Sequence, residues 1–239
     1  MNMDNSANLT LFLEFYGLPG CGKSTISHAV ARLLREKGVS VEEPSYDIDH
    51  LAPKFLRRVV KLLTTILWFV IHHNSFCEIY SIVLANNYHG LSKIEQISNI
   101  IQKIRIYKRK NSSHIVMWDQ GLVQAAISLS INGYKSSDEN LKRLYKLVST
   151  DRRIIHILIV VDSETVINRM ARRKTNDSRV EKLKNKDEID RMLQSFIEGI
   201  SNIEREFEGE KYDGKKDVEI LSNLVLQKII NNLKGLMAC

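Results

Sequence analysis

The apolar positions of this chain follow two alternating rhythms. Short runs rich in apolar residues read as strands: 9–16 (LTLFLEFY), which reads as buried, 39–43, 114–118, 154–161 (IIHILIVV) and 218–221. Between them, apolar residues recur every three or four positions and predict helices over 23–36, 53–88, 91–110, 122–131, 139–148, 165–173, 186–208 and 222–236. Ile26, Val30, Leu33 and Leu34 share one side of the first helix, which Gly38 ends. Ser92 and Glu95 form a capping box, and Ile94, Ile97, Ile101 and Ile104 lie on one face of the helix that follows. Strands alternating with helices predict an α/β fold, a parallel sheet with helices on both faces. Ligands of such sheets bind beyond the carboxyl ends of the strands, so Glu43, Asp119 and Asp162, each at a strand end, fall on the functional rim.

Composition narrows the picture little further. All three prolines, Pro19, Pro44 and Pro53, lie in the first 53 of 239 residues, and a long proline-free remainder favours helices. The three cysteines, Cys21, Cys77 and Cys239, form neither a disulfide framework nor a metal-ligand cluster, which suits a reduced, cytoplasmic setting. The N-terminal ten residues carry no Lys or Arg and are not a secretory signal. The longest apolar stretch, 62–71, is half the roughly 20 residues of a membrane span; it reads as a buried helix, and Arg57, Arg58 and Lys61 before it leave a helix resting on a membrane surface as the alternative. The net charge of +7 suits an anionic ligand; the basic run 103–110 reads as a solvated helix end rather than a nucleic-acid surface. His72 and His73 have no partner acids at ligand spacing.

One motif carries specific chemistry. Gly17-Leu18-Pro19-Gly20-Cys21-Gly22-Lys23-Ser24 matches the phosphate-loop pattern, with a strand running in and a helix running out. Gly17, Gly20 and Gly22 let the backbone, Cys21 included, wrap an anion with its N–H groups turned inward. Lys23 supplies a point charge to the terminal phosphates, Ser24 a hydroxyl for Mg²⁺, and Thr25 continues the helix N-terminus that faces the anion. Asp119 can hold the same Mg²⁺ from across the site, or cap the helix starting near Leu122. Glu43, kept extended by Pro44, can accept a proton from a hydroxyl; Asp47 and Asp49 are rival candidates. Asp162 reads as a helix cap. Arg169, Arg172, Arg173, Lys174 and Arg179, broken by the turn formers 175–178, suit a lid that brings guanidinium charge over phosphates.

With these residues in place the sequence resembles the P-loop small-molecule kinases, thymidylate kinase and the deoxynucleoside kinases in particular. The resemblance rests on the loop at 17–24, Glu43-Pro44, Asp119 and the segment VDSETVINRMARRKTNDSRVE at 161–181. It implies a three-layer P-loop NTPase sandwich with a five-stranded parallel sheet in the order 2-3-1-4-5. The whole chain would form one kinase domain, with a helical acceptor side near 53–110 and a lid near 169–185. It further implies ATP as donor, Mg²⁺ as cofactor, Glu43 as general base, and lid arginines mapping onto Arg169, Arg173 and Arg179. The chain departs from the family at Gln120, where an arginine usually follows the acid, and this favours a nucleoside or other hydroxyl compound over a monophosphate. A nucleotide-driven switch or assembly ATPase and a polynucleotide end kinase are the rival readings; no N-K-x-D guanine motif is present. The isoleucine-rich face at 94–104 suits either the core or a second subunit of a homodimer. Replacing Lys23 with Ala is expected to abolish ATP binding in calorimetric titration of the folded variant; unchanged affinity would remove the phosphate loop from the account.

Overall fold

The computed structural model describes residues 10–46, 54–87, 90–109, 115–131, 133, 135–148, 153–172, 183 and 185–237. Strand β1 (Leu11–Gly17) is buried along its whole length and forms the middle of the sheet. It runs into α1 (Lys23–Glu36), then β2 (Val41–Glu42), α2 (Lys54–Ile71), α3 (His73–Leu84) and α4 (Gly90–Lys108). Next come β3 (Ile115–Trp118), α5 (Leu122–Ser130), α6 (Ser137–Lys146), β4 (Arg153–Val160), α7 (Ser163–Ala171), α8 (Lys186–Glu206), β5 (Glu210–Asp213) and α9 (Val218–Met237). The five strands are ordered β2-β3-β1-β4-β5, with every neighbouring pair parallel. That is the topology the resemblance implies.

Alternation along β1 sorts the two faces of the sheet. Phe12 and Glu14 point toward the α4–α6 layer, where Phe12 stacks on Tyr107 at 4.5 Å between ring centroids. Leu11, Leu13 and Phe15 point the other way, toward α1 and α9, which pack on each other. In α4, Ile97, Ile101 and Ile104 are buried as their spacing predicts, whereas Ile94 is exposed.

Two segments differ from expectation. The last strand is Glu210–Asp213, and 218–221 opens α9 instead. Val218–Leu221 (VEIL) reads as an apolar run, but Asp217 Oδ1 accepts from Glu219 N–H at 2.8 Å and starts a helix there. The stretch 62–71 is not a buried helix. Helix α2 turns Thr65 and Trp68 inward and leaves most of its apolar side chains in solvent. The helical stretch expected over 53–88 is made of two described helices, and the chain bends by 120° between Val59–Ile71 and His73–Leu84. No single described helix is long and apolar enough to cross a membrane.

The central strand carries an unusual residue. Glu14 has no exposed surface. Its Oε1 accepts from the hydroxyls of Tyr107 (α4) and Tyr145 (α6), the latter at 3.3 Å. Its Oε2 accepts from Val123 N–H at 2.7 Å. Burial, reinforced by the Glu14 charge, holds both phenols far above their ordinary value of 10, so they remain donors. Tyr145 hydroxyl also bonds His156 Nε2 at 2.6 Å. Burial depresses His156 below its ordinary 6.5. In the unfolded chain the imidazole regains that value and takes up the proton first as pH falls. The contribution is therefore complete above about pH 6.5 and lost below it. Thermal unfolding followed from about pH 8 to pH 5 is expected to show a falling Tm, and His156→Gln to flatten the fall.

Candidate active site

The phosphate loop takes its shape from backbone that only glycine accepts freely. Gly20 and Gly22 have φ of 83° and 103°. Gly17 has φ of 146°, and a Cβ there would stand 2.5 Å from Ile159 O of β4. Gly22 is the N-cap of α1 and uses no side chain for it, so the helix's first amides remain directed at the loop's hollow. Lys23 folds back into this hollow. Its Nζ donates to Gly17 O at 3.1 Å and Leu18 O at 2.9 Å, so the ammonium sits beneath the loop's rim. Cys21 is fully buried, its thiol 3.7 Å from Lys23 Nζ, and acts as packing within the loop. Thr25 lies exposed on the first turn of α1.

Ser24 and Asp119 meet across the mouth of the loop. Ser24 Oγ donates to Asp119 Oδ2 at 2.6 Å. Asp119 Oδ1 is buried and, among the described residues, has no hydrogen-bond partner. The aspartate is not the cap of α5: Gly121 occupies that position without a side-chain bond, and Glu14 takes the Val123 amide. An oriented carboxylate with one oxygen free, beside a hydroxyl, is the donor set of a hard divalent cation, so these residues fit Mg²⁺.

A cavity of about 210 Å³ opens beside this pair, lined among others by Ser24, Ser27, His28, Glu43, Tyr46 and Asp119. Glu43 is buried and does not project freely beyond the sheet edge, as its place before Pro44 suggested. Its Oε2 pairs with Arg35 Nη1 at 2.6 Å, and its Oε1 lies 3.2 Å from His28 Nδ1. His28 in turn stacks on Tyr46 at 4.3 Å. The structure thus brings Ser24, Asp119 and Glu43 to one cavity, while the Lys23 ammonium lies within the neighbouring phosphate loop.

Of the basic segment, Arg172 lies exposed at the end of α7, away from the contacts made by Arg169. Arg169 itself reaches the phosphate loop. Its guanidinium donates to Cys21 O at 3.0 Å and Gly214 O at 2.8 Å, tying α7 and the turn after β5 to the phosphate loop. Arg173, Lys174, Arg179 and the turn 175–178 lie outside the described residues, as do Asp47, Asp49 and Pro53. Asp162 caps α7, accepting from Thr165 N–H at 2.8 Å. Its pairing with Lys215, 2.5 Å away, and the two bonds from Thr165 hold its carboxyl well below the usual range. Gln120 is exposed.

Sequence reasoning missed two members. Gln124, on α5, accepts from Gly17 N–H at 3.2 Å and so braces the start of the loop. Lys103, on α4, lies over the Trp118 ring at 5.3 Å rather than at a solvated helix end. Burial lowers its ammonium to about 8 against the opposing pull of Asp119 and Glu14. Neither carries a local signal: each is a polar residue inside a helix pattern whose role depends on a strand far away in the chain.

No family model matches the sequence, and no curated protein matches it. The fold has close counterparts in solved structures. Three structures of deoxyadenosine kinase from M. mycoides superpose on 92% of this chain at 18% identity. The structure with dCMP and a flexible dCDP gives a TM-score of 0.54 over 100% of its chain. Those with dCTP and dATP give 0.53 over 100% and 0.51 over 99%. Together with the strand order and the loop geometry, this gives the chain the P-loop fold of the deoxynucleoside kinases.

Gln124→Ala is expected to orphan the Gly17 amide. The cost should be about 1–3 kcal/mol in urea unfolding, with ATP binding several-fold weaker.

Proposed function

We propose that this chain is a kinase that transfers the terminal phosphoryl group of ATP to a hydroxyl of a nucleoside or nucleotide-like acceptor. The observation that carries the reading is the Ser24–Asp119 pair at the mouth of the phosphate loop, with Asp119 Oδ1 unpartnered and a cavity beside it reaching Glu43. Bound nucleotides in the fold's counterparts support it: the M. mycoides enzyme, a deoxyadenosine kinase, holds dCTP or dATP.

Each residue has a part that follows from its chemistry. The amides of Gly20, Cys21 and Gly22 and the N-terminal turn of α1, with Ser24 and Thr25, bind the phosphate chain. Lys23 exchanges the carbonyls of Gly17 and Leu18 for phosphate oxygens, since an ammonium gains more from an anion than from neutral acceptors. Ser24 and Asp119 would hold Mg²⁺. When bound, it neutralises charge on the phosphate oxygens. Glu43 orients the acceptor hydroxyl and takes its proton, held toward the cavity by Arg35 and His28. Arg173 and Arg179 are proposed to close from the lid at 169–185 and to stabilise charge on the transferring group. The helices between 53 and 110 form the acceptor side of the same domain in this reading.

The test is transfer of a labelled terminal phosphate from ATP to a panel of nucleosides, nucleoside monophosphates and sugars. Label is expected in a nucleoside-type acceptor, and Glu43→Gln should lower kcat by about 10²–10⁴ with ATP affinity retained. ATP hydrolysis indifferent to every acceptor would favour a nucleotide-driven switch and overturn the proposal.

A further inference from the structure

Both oxygens of Glu43 are engaged. Oε2 pairs with Arg35 Nη1 at 2.6 Å, and Oε1 lies 3.2 Å from His28 Nδ1. The Glu43 side chain is 5% exposed and that of His28 44%. A buried carboxylate clamped by a guanidinium is poorly placed to meet a hydroxyl by itself. It is well placed to hold an imidazole that does.

The contact with Oε1 assigns the ring proton to Nδ1, which donates it to the carboxylate. Nε2 then keeps its lone pair, and it makes no hydrogen bond among the described residues. Tyr46 stacks on the ring at 4.3 Å with 18° between the planes, so the imidazole is fixed by its edge and by its face. His28 follows Ser24 by one turn of α1 and shares its side of the helix. Both line the cavity, with Asp119 opposite. The charged and titratable groups described around the ring are Glu43 and Tyr46 after β2, Asp119 after β3, and Arg35 and Arg32 on α1, the last paired with Glu36 at 3.7 Å.

We infer that His28 is the group through which Glu43 takes the acceptor's proton: a carboxylate–imidazole pair whose Nε2 is the base. The inference rests on the kinase reading above and adds a catalytic residue to it. The acceptor oxygen forms a bond to the terminal phosphorus of ATP, and the bond from that phosphorus to the bridging oxygen breaks, releasing ADP. The hydroxyl proton passes to Nε2, the Glu43 charge balances the imidazolium, and the exposed ring then gives the proton to water.

The test compares the unaltered chain with His28→Gln and His28→Ala on the acceptor that reacts fastest in the panel above, deoxyadenosine and deoxycytidine included. Gln keeps a donor for Glu43 but takes up no proton. Both variants are expected to lower kcat by about a hundredfold, with the KM for ATP unchanged. In the unaltered chain kcat should fall as pH drops from about 8 to about 6, because an imidazole that has gained a proton cannot take another, and His28→Gln should lose this dependence. Imidazole added to His28→Ala should restore part of the rate. A His28→Gln variant with the rate and pH profile of the unaltered chain would overturn the inference and leave Glu43 as the base by itself. Transfer to no acceptor by the unaltered chain would remove the kinase reading and this inference with it.

Discussion

A carboxylate lies at the centre of the sheet with no access to water. Glu14 is tolerated there because three donors from three helices converge on it, and removing any of them would leave one of its buried lone pairs unsatisfied. What the arrangement accomplishes is positional. By accepting the Val123 amide, Glu14 fixes the start of α5, and with it the turn Asp119-Gln120-Gly121. Gly121 is the one residue that fits this turn, since a Cβ there would overlap the Glu14 side chain. One residue on from Val123, Gln124 reaches back to Gly17 at the end of β1. The same strand therefore holds both halves of the phosphate site, one through its own carboxyl end and one through a buried side chain.

This explains how much of the molecule was legible beforehand. The phosphate loop is a local device: its glycines, Lys23 and Ser24 act within eight residues and are visible as a string. Helix α1 was readable to the residue because its amphipathic face and the following glycine agree. Glu14 stands as one letter in an apolar strand, because its donors come from helices about a hundred positions along the chain. Strand β5, EKYD, has almost no apolar signal and exists because β4 offers it an edge and Asp217 claims the VEIL run for a helix. Helix α2 departs from its sequence pattern for a different reason. Its apolar length implied burial, but the polar seam it makes with α4 decides which side faces in, and that seam involves residues 33 to 38 positions away.

The acceptor side ties these features together. Glu43 is fixed against α1 by its ion pair with Arg35 and its contact with His28, so the carboxylate proposed to receive the acceptor's proton is held by the same helix whose N-terminus faces the hollow of the phosphate loop. Arg169 extends this frame to the opposite side, bridging the loop to the turn after β5. Reaction geometry would then depend on α1, β1 and α5 as one body, while α2 and α3 are bent against each other and apolar on their outer surface.

The measurement that bears most directly on this account is ATP affinity by calorimetry, with and without Mg²⁺, in the unaltered chain and in Glu14→Gln, at a temperature where both are folded. The account predicts ATP binding by the unaltered chain that Mg²⁺ strengthens. In the variant, the gain from Mg²⁺ should fall by about tenfold while Mg²⁺-free binding at the phosphate loop changes little. Equal Mg²⁺ dependence in the two proteins, or no ATP binding in either, would contradict it.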